Sequence, residues 1–200
     1  MARILIVGGG CRGRRFAERM VEQGHAVRAT TRGEAGRPAI EATGAECWIG
    51  TPDRLATLRG ALENVTVACW MLACAHGSEE EIAPLHSSRL EFFLSQAIDT
   101  TARGLIYDAW GVPGGVGGTD ADAADARRPT PEMLAGGARI FRSLTELNAI
   151  PAVVLEGGAE GEEPGEGVEG PAVGPGSDDD DAAWIAAASD AVAALLGGDR

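Results

Sequence analysis

The stretch from Ala2 to Arg32, ARILIVGGGCRGRRFAERMVEQGHAVRATTR, constrains this chain more than any other. An apolar run, Ile4 to Val7, enters a turn with glycines at Gly8, Gly10 and Gly13. Arg14 to Gln23 follows, with Phe16, Ala17, Met20 and Val21 at helical spacing, and then a second apolar run from Ala26 to Thr30. Strand, Gly-x-Gly-x-x-Gly, helix and strand come in the order that a dinucleotide-binding unit requires. Gly8 lets the chain leave the strand tightly, Gly10 lets bare backbone approach a pyrophosphate, and Gly13 lets the helix pack closely on the sheet. The N–H groups of the first helical turn, at the positive end of the helix dipole, then face the phosphates. The expected cofactor-binding loop is Gly8, Gly9, Gly10, Cys11, Arg12 and Gly13; the competing reading is a glycine turn without a ligand.

The end of the second strand selects the cofactor. An acid there would bond the ribose 2′-hydroxyl of NAD, whereas an arginine accommodates the 2′-phosphate of NADP. The chain has Thr30, Thr31 and Arg32 there, with Arg12 available from the glycine loop. Guanidinium pairs bidentately with phosphate, so Thr31, Arg32 and Arg12 favour NADP(H) over NAD(H), against solvent-facing arginines as the alternative.

Strands and helices alternate through the rest of the chain. A short helix is expected over Arg37 to Thr43, a third strand over Ala45 to Ile49, and a helix from Thr51-Pro52-Asp53 to about Leu62. Val65 to Ala73 is almost continuously apolar, as befits a central strand covered on both faces. It delivers Ala73, Cys74, Ala75 and His76 to the carboxyl edge of the sheet, at the point where ligands bind in open parallel sheets. Ala73, Cys74 and Ala75 are expected to line the cofactor, and His76 is the candidate catalytic group. A helix broken near Pro84 spans Glu79 to Asp99, with His86 and Arg89 read as surface residues. Arg103 to Ala109 is a fifth strand holding Tyr107, the one tyrosine; Pro131 to Asn148 is a helix and Pro151 to Leu155 a sixth strand. Trp110 to Pro129 reads as a flexible loop.

The fold class is therefore α/β, a doubly wound parallel sheet (Rossmann fold) of order 3-2-1-4-5-6 with helices on both faces. Residues 1–156 form the nucleotide-binding domain. Residues 157–181, glycine, proline and acid without core formers, read as a disordered insertion. Residues 182–200 carry a closing helix, capped by Asp181, that docks back on the same domain.

At 200 residues there is room for one domain and not for a separate large substrate domain. The net charge of −13 is uneven: residues 156–181 hold ten acids and no base, which leaves −3 elsewhere. Nucleic-acid binding through a basic face is thus not expected. Four cysteines at no metal-ligand spacing read as reduced thiols, so no metal is expected. No run is long enough to span a membrane, and the chain opens on a strand without a leader pattern, so a cytoplasmic location is expected. The chain contains no lysine.

ILIVGGGCRGRRFAERMVEQGHAVRATTR, followed by GAECWIGTPDRLATLRGAL, resembles the opening of atypical and extended short-chain dehydrogenase/reductases, the NAD-dependent epimerase and NmrA-like group. The resemblance covers roughly residues 2 to 155 and implies NAD(P) as cofactor. The family's enzymes pair a catalytic tyrosine with a lysine four residues later; here Gly111 stands four residues after Tyr107. Thr51 stands where the family often has an acid near the adenine, and the substrate-binding extension is reduced to a linker and one helix. The resemblance implies NAD(P) binding without the usual catalytic pair, and together with Arg12 and Arg32 the expectation is an NADP(H)-binding protein, a regulatory or redox-sensing binder. The alternatives are an oxidoreductase or epimerase-like enzyme using His76 or His86 as acid/base, and a structural module with a vestigial site. The partner beyond the dinucleotide is an unknown small molecule or protein, and a homodimer is compatible with the sequence.

Overall fold

The computed structural model describes residues 1–111, 127–157 and 178–197. Its strands are β1 (Arg3–Val7), β2 (Ala26–Thr31), β3 (Glu46–Ile49), β4 (Val67–Trp70), β5 (Gly104–Asp108) and β6 (Ala152–Leu155). All pair in parallel, in the order β3-β2-β1-β4-β5-β6. The helices are α1 (Cys11–Glu22), α2 (Arg37–Glu41), α3 (Glu79–Ile82), α4 (Ser88–Ile98), α5 (Pro131–Leu147) and α6 (Asp178–Gly197).

Alternation along the strands builds two cores. Ile4 and Ile6 of β1, with Cys69 and Ile106, face Phe16, Ala17 and Met20 of α1 and Trp184, Ala188 and Val192 of α6. Leu5 and Val7, with Ala68, Trp70 and Leu105, face Leu90, Phe93 and Leu94 of α4 and Ala138 and Phe141 of α5. β1 is thus buried on both faces, which is why it reads as unbroken hydrophobic sequence.

Three elements depart from expectation. The segment after Thr51 forms two short 3-10 turns, Leu55–Leu58 and Gly60–Leu62, instead of a helix to Leu62. The Trp48 indole N–H takes the Thr57 carbonyl (2.7 Å), and the Thr57 hydroxyl takes the Arg54 carbonyl (2.6 Å), so side chains claim acceptors that a helix would use. β4 is shorter than the apolar run that contains it, ending at Trp70 before the chain bends through Ala73. α6 begins at Asp178, before the expected start at Ala182, so Asp181 lies within the helix and does not cap it. The expected loop at 110–129 and the expected disordered insertion fall largely outside the described residues. No helix among the described residues is long and apolar enough to cross a membrane.

Candidate functional site at the carboxyl edge

The glycine turn is fastened from behind. Gly8 has φ +120°, and a Cβ there would lie 2.2 Å from the Met71 carbonyl oxygen. A Cβ on Gly13 would lie 2.0 Å from the Gly8 carbonyl oxygen. The buried Thr30 of β2 holds the turn twice: its hydroxyl accepts from the Gly8 N–H (3.2 Å) and its carbonyl from the Gly9 N–H (3.0 Å). The Gly9 N–H is therefore committed to the sheet and not available to a phosphate. Gly10 differs, because a Cβ there would meet nothing within 4 Å. It is the N-cap residue of α1; no side chain caps that end and no acid stands in its first turn. Cys11 is exposed beside it. The start of α1 thus suits an anion, with room in front of it.

The first half of the fold, β1 to β3, continues this open surface. Thr31 is half-buried, Arg32 is exposed, and a Cβ on Gly33 would again meet nothing within 4 Å. Arg32 is in electrostatic reach of Glu81. That carboxyl is held below its usual range mainly by the Ser78 backbone and hydroxyl, with Arg32 adding to the effect. Gly10, Arg32 and Gly33 thus leave the carboxyl ends of β1 and β2 open among the described residues.

Over the second half, β4 to β6, the edge is filled. The expectation that Arg12 and Arg32 share one corner is not realised. Arg12 is only 8% exposed and turns toward α6, where its Nε donates to Asp181 (2.7 Å) and its Nη2 to Asp180 (2.5 Å). Its Nη1 donates to the Trp110 carbonyl (3.3 Å) and the Cys74 sulfur (3.4 Å), and its guanidinium lies 5.5 Å from the centre of the Trp184 ring. Burial opposes the charge, but the Asp181 hydrogen bond and the surrounding negative charge outweigh it and raise the Arg12 pKa. Arg15 adds a second bond to Asp181 (2.9 Å). Trp110 donates its indole N–H to Asp180 (3.3 Å), and its ring rests where a Cβ on Gly157 would come within 3.0 Å of it.

Beneath this lies Asp108, the last residue of β5. It is 2% exposed and accepts from the Trp184 indole (3.1 Å) and the Trp110 backbone (3.0 Å). Burial pushes its pKa up to about 6, with those two hydrogen bonds and Arg12 opposing. The Cys74 thiol is likewise raised by burial, with Arg12 in opposition. Ala73 is buried and Cys74 and Ala75 half-buried. His76 is exposed, next to a bridge in which Gly77 and Arg127 exchange backbone hydrogen bonds (3.2 and 2.8 Å). No group of three or more His, Cys, Asp or Glu among the described residues could hold a metal ion.

His86 corrects the sequence reading: it is a core residue, 2% exposed. Its Nδ1 meets the Tyr107 hydroxyl at 2.7 Å, and that hydroxyl also reaches the Leu134 carbonyl (3.4 Å). α5 admits the hydroxyl through Gly137, where a Cβ would stand 2.1 Å from it. His86 Nε2 is buried without a hydrogen bond, and burial pulls the imidazole down to about 4 despite a favourable Leu72 backbone contribution. Burial raises the Tyr107 pKa. Both are neutral and enclosed at neutral pH, which removes His86 and Tyr107 as acids for an outside substrate. Arg89 is half-buried and ion-paired to Asp53.

No family model matches the sequence, and no curated protein does. Solved structures do match. A short-chain dehydrogenase/reductase superfamily protein from Agrobacterium tumefaciens with bound NAD aligns over 77% of this chain and 48% of its own, with TM-score 0.58 and 19% identity. The UDP-Glc/GlcNAc 4-epimerase of Campylobacter jejuni aligns over 78% and 53%, with TM-score 0.59 and 13% identity. Vestitone reductase from alfalfa aligns over 78% and 56%, with TM-score 0.53 and 16% identity. The chain shares the fold of these reductases and epimerases. It spans about half the length of each of them.

A concavity of about 550 Å³ lies away from the carboxyl edge, lined by Phe141, Thr145, Ala149, Pro151 and Val154 between α5 and the edge strand β6. The sequence reading missed Asp108, Trp110, Asp180 and Trp184. A lone acid at the end of an apolar strand was the available signal for Asp108. Nothing local linked Asp180 to Arg12, 168 positions away.

Proposed function

We propose that this chain is an NADP(H)-binding protein that holds the nucleotide at the glycine turn and lacks the tyrosine and lysine pair of the related reductases. The observation that carries the reading is the open space before Gly10, at the uncapped start of α1 and beside the β1/β4 switch point. Arg32, exposed at the end of β2, is the group for the 2′-phosphate; Arg12 is occupied by Asp180 and Asp181 and leaves this role to Arg32 alone. Against chemistry stand the absence of lysine and the burial of Tyr107 against His86. His76 is the remaining exposed histidine at the edge, and a detected reductase activity that survives His76→Ala would exclude it as the acid. Calorimetric titration with NADP(H) and NAD(H) tests the reading. Binding with NADP(H) tighter is the expected result, and no heat at millimolar nucleotide sinks it.

A further inference from the structure

A dinucleotide laid across a doubly wound sheet places one nucleotide over β1 to β3 and the other over β4 to β6. In this chain the second of those places is taken by the protein itself. Arg12 leaves the start of α1 and crosses to Asp180 and Asp181, bonding Cys74 at the end of β4 and the Trp110 carbonyl beyond β5 on its way. The Trp110 ring covers Gly157 past the end of β6 and is itself tied to Asp180. Below them Asp108 joins the Trp110 backbone to the Trp184 indole. Residues from the carboxyl ends of β4, β5 and β6 are thus bonded to one another and to α6 across the space that a nicotinamide riboside would need. Among the described residues nothing comparable closes the first half, where a Cβ on Gly10 or Gly33 would meet nothing within 4 Å.

We propose that the chain binds NADP(H) by its adenosine and pyrophosphate end alone, the crevice over β4 to β6 being filled by Arg12, Trp110 and Asp180. The inference rests on nucleotide binding at the glycine turn. It names the ligand class as an adenosine 5′-diphosphate group, with or without a 2′-phosphate, and leaves the nicotinamide in solvent. Such a site is blind to the redox state of the cofactor, because oxidation and reduction change only the ring that it does not touch.

Titration of the full chain with ADP, NAD, nicotinamide mononucleotide, NADP and NADPH separates the outcomes. The expected result is ADP and NAD within about threefold of each other, NADP and NADPH likewise, and no binding of nicotinamide mononucleotide. The emission of bound NADPH should match that of free NADPH, as for a solvated ring. Trp110→Ala, which uncovers the second half without removing a charge, should make NAD about tenfold tighter than ADP. NAD binding about tenfold or more tighter than ADP to the unaltered chain, binding of nicotinamide mononucleotide, or altered NADPH emission would overturn the inference while leaving nucleotide binding intact. If none of the five binds, the reading of the glycine turn fails first and this inference falls with it.

Discussion

The two halves of the sheet present their carboxyl ends differently. Over β1 to β3 the chain ends its strands in exposed or small residues, Gly10, Arg32 and Gly33. Over β4 to β6 it ends them in Asp108, Trp110 and Cys74, collected by Arg12 and sealed by the first turn of α6. The same fold thus carries an open half and a half closed by tertiary contacts among its own side chains. One fold can therefore leave one half of its carboxyl edge open while the opposite half becomes part of the core.

Substitutions in the glycine turn should break the comparison most sharply. Gly13→Val puts a side chain onto the Gly8 carbonyl and should cost about 3 kcal/mol or more, visible as a collapsed melting transition. Gly10→Val, in extended backbone and facing space, should melt within a few degrees of the unaltered chain yet bind NADP about 100-fold or more weakly. Undiminished binding by Gly10→Val would show that the nucleotide does not sit on the open half.

Next in size are the buried titrations. The Asp108 pKa is raised to about 6 from an ordinary 3.8, so its stabilising contribution is complete below about 3.8 and is lost as pH rises through 6. Asp108→Asn should therefore gain about 2–3 kcal/mol at pH 8 and nothing at pH 4, measured by urea unfolding at both. His86 has the opposite sign. Its pKa is lowered to about 4 from 6.5, so its contribution is complete above 6.5 and is lost as pH falls through 4. The two trends offset each other between about pH 4 and 6 in the unaltered chain, and Asp108→Asn should unmask the acid-side loss due to His86. A stability curve for that variant that stays level from pH 7 to 4 would contradict the burial of His86.

Arg12→Ala should destabilise by about 2–3 kcal/mol, because it leaves Asp180 and Asp181 without their main partner. Affinity for ADP should change little; a loss of about tenfold or more would place Arg12 in the open half after all. The smallest effect belongs to Arg32→Ala. It should leave NAD binding unchanged and weaken NADP by about tenfold, while an unchanged ratio would remove Arg32 from the 2′-phosphate role.

The sequence by itself determined the parallel α/β fold, its strand order and the glycine turn. Each of these depends on local chemistry: the double-sided burial of Ile4 to Val7, the tight exit at Gly8 and the close contact at Gly13. Only the tertiary structure decided what the carboxyl edge is made of. Arg12 stands in the glycine loop, and no periodicity or motif showed that its guanidinium would turn to Asp180 and Asp181. His86 looked like a helix-start surface residue until Tyr107 and Gly137 enclosed it. Thr57 was helical by pattern until Trp48 captured its carbonyl. In each case the deciding partner lies on another element, brought near by packing, and a side chain's charge and access depend on that partner more than on its neighbours in sequence.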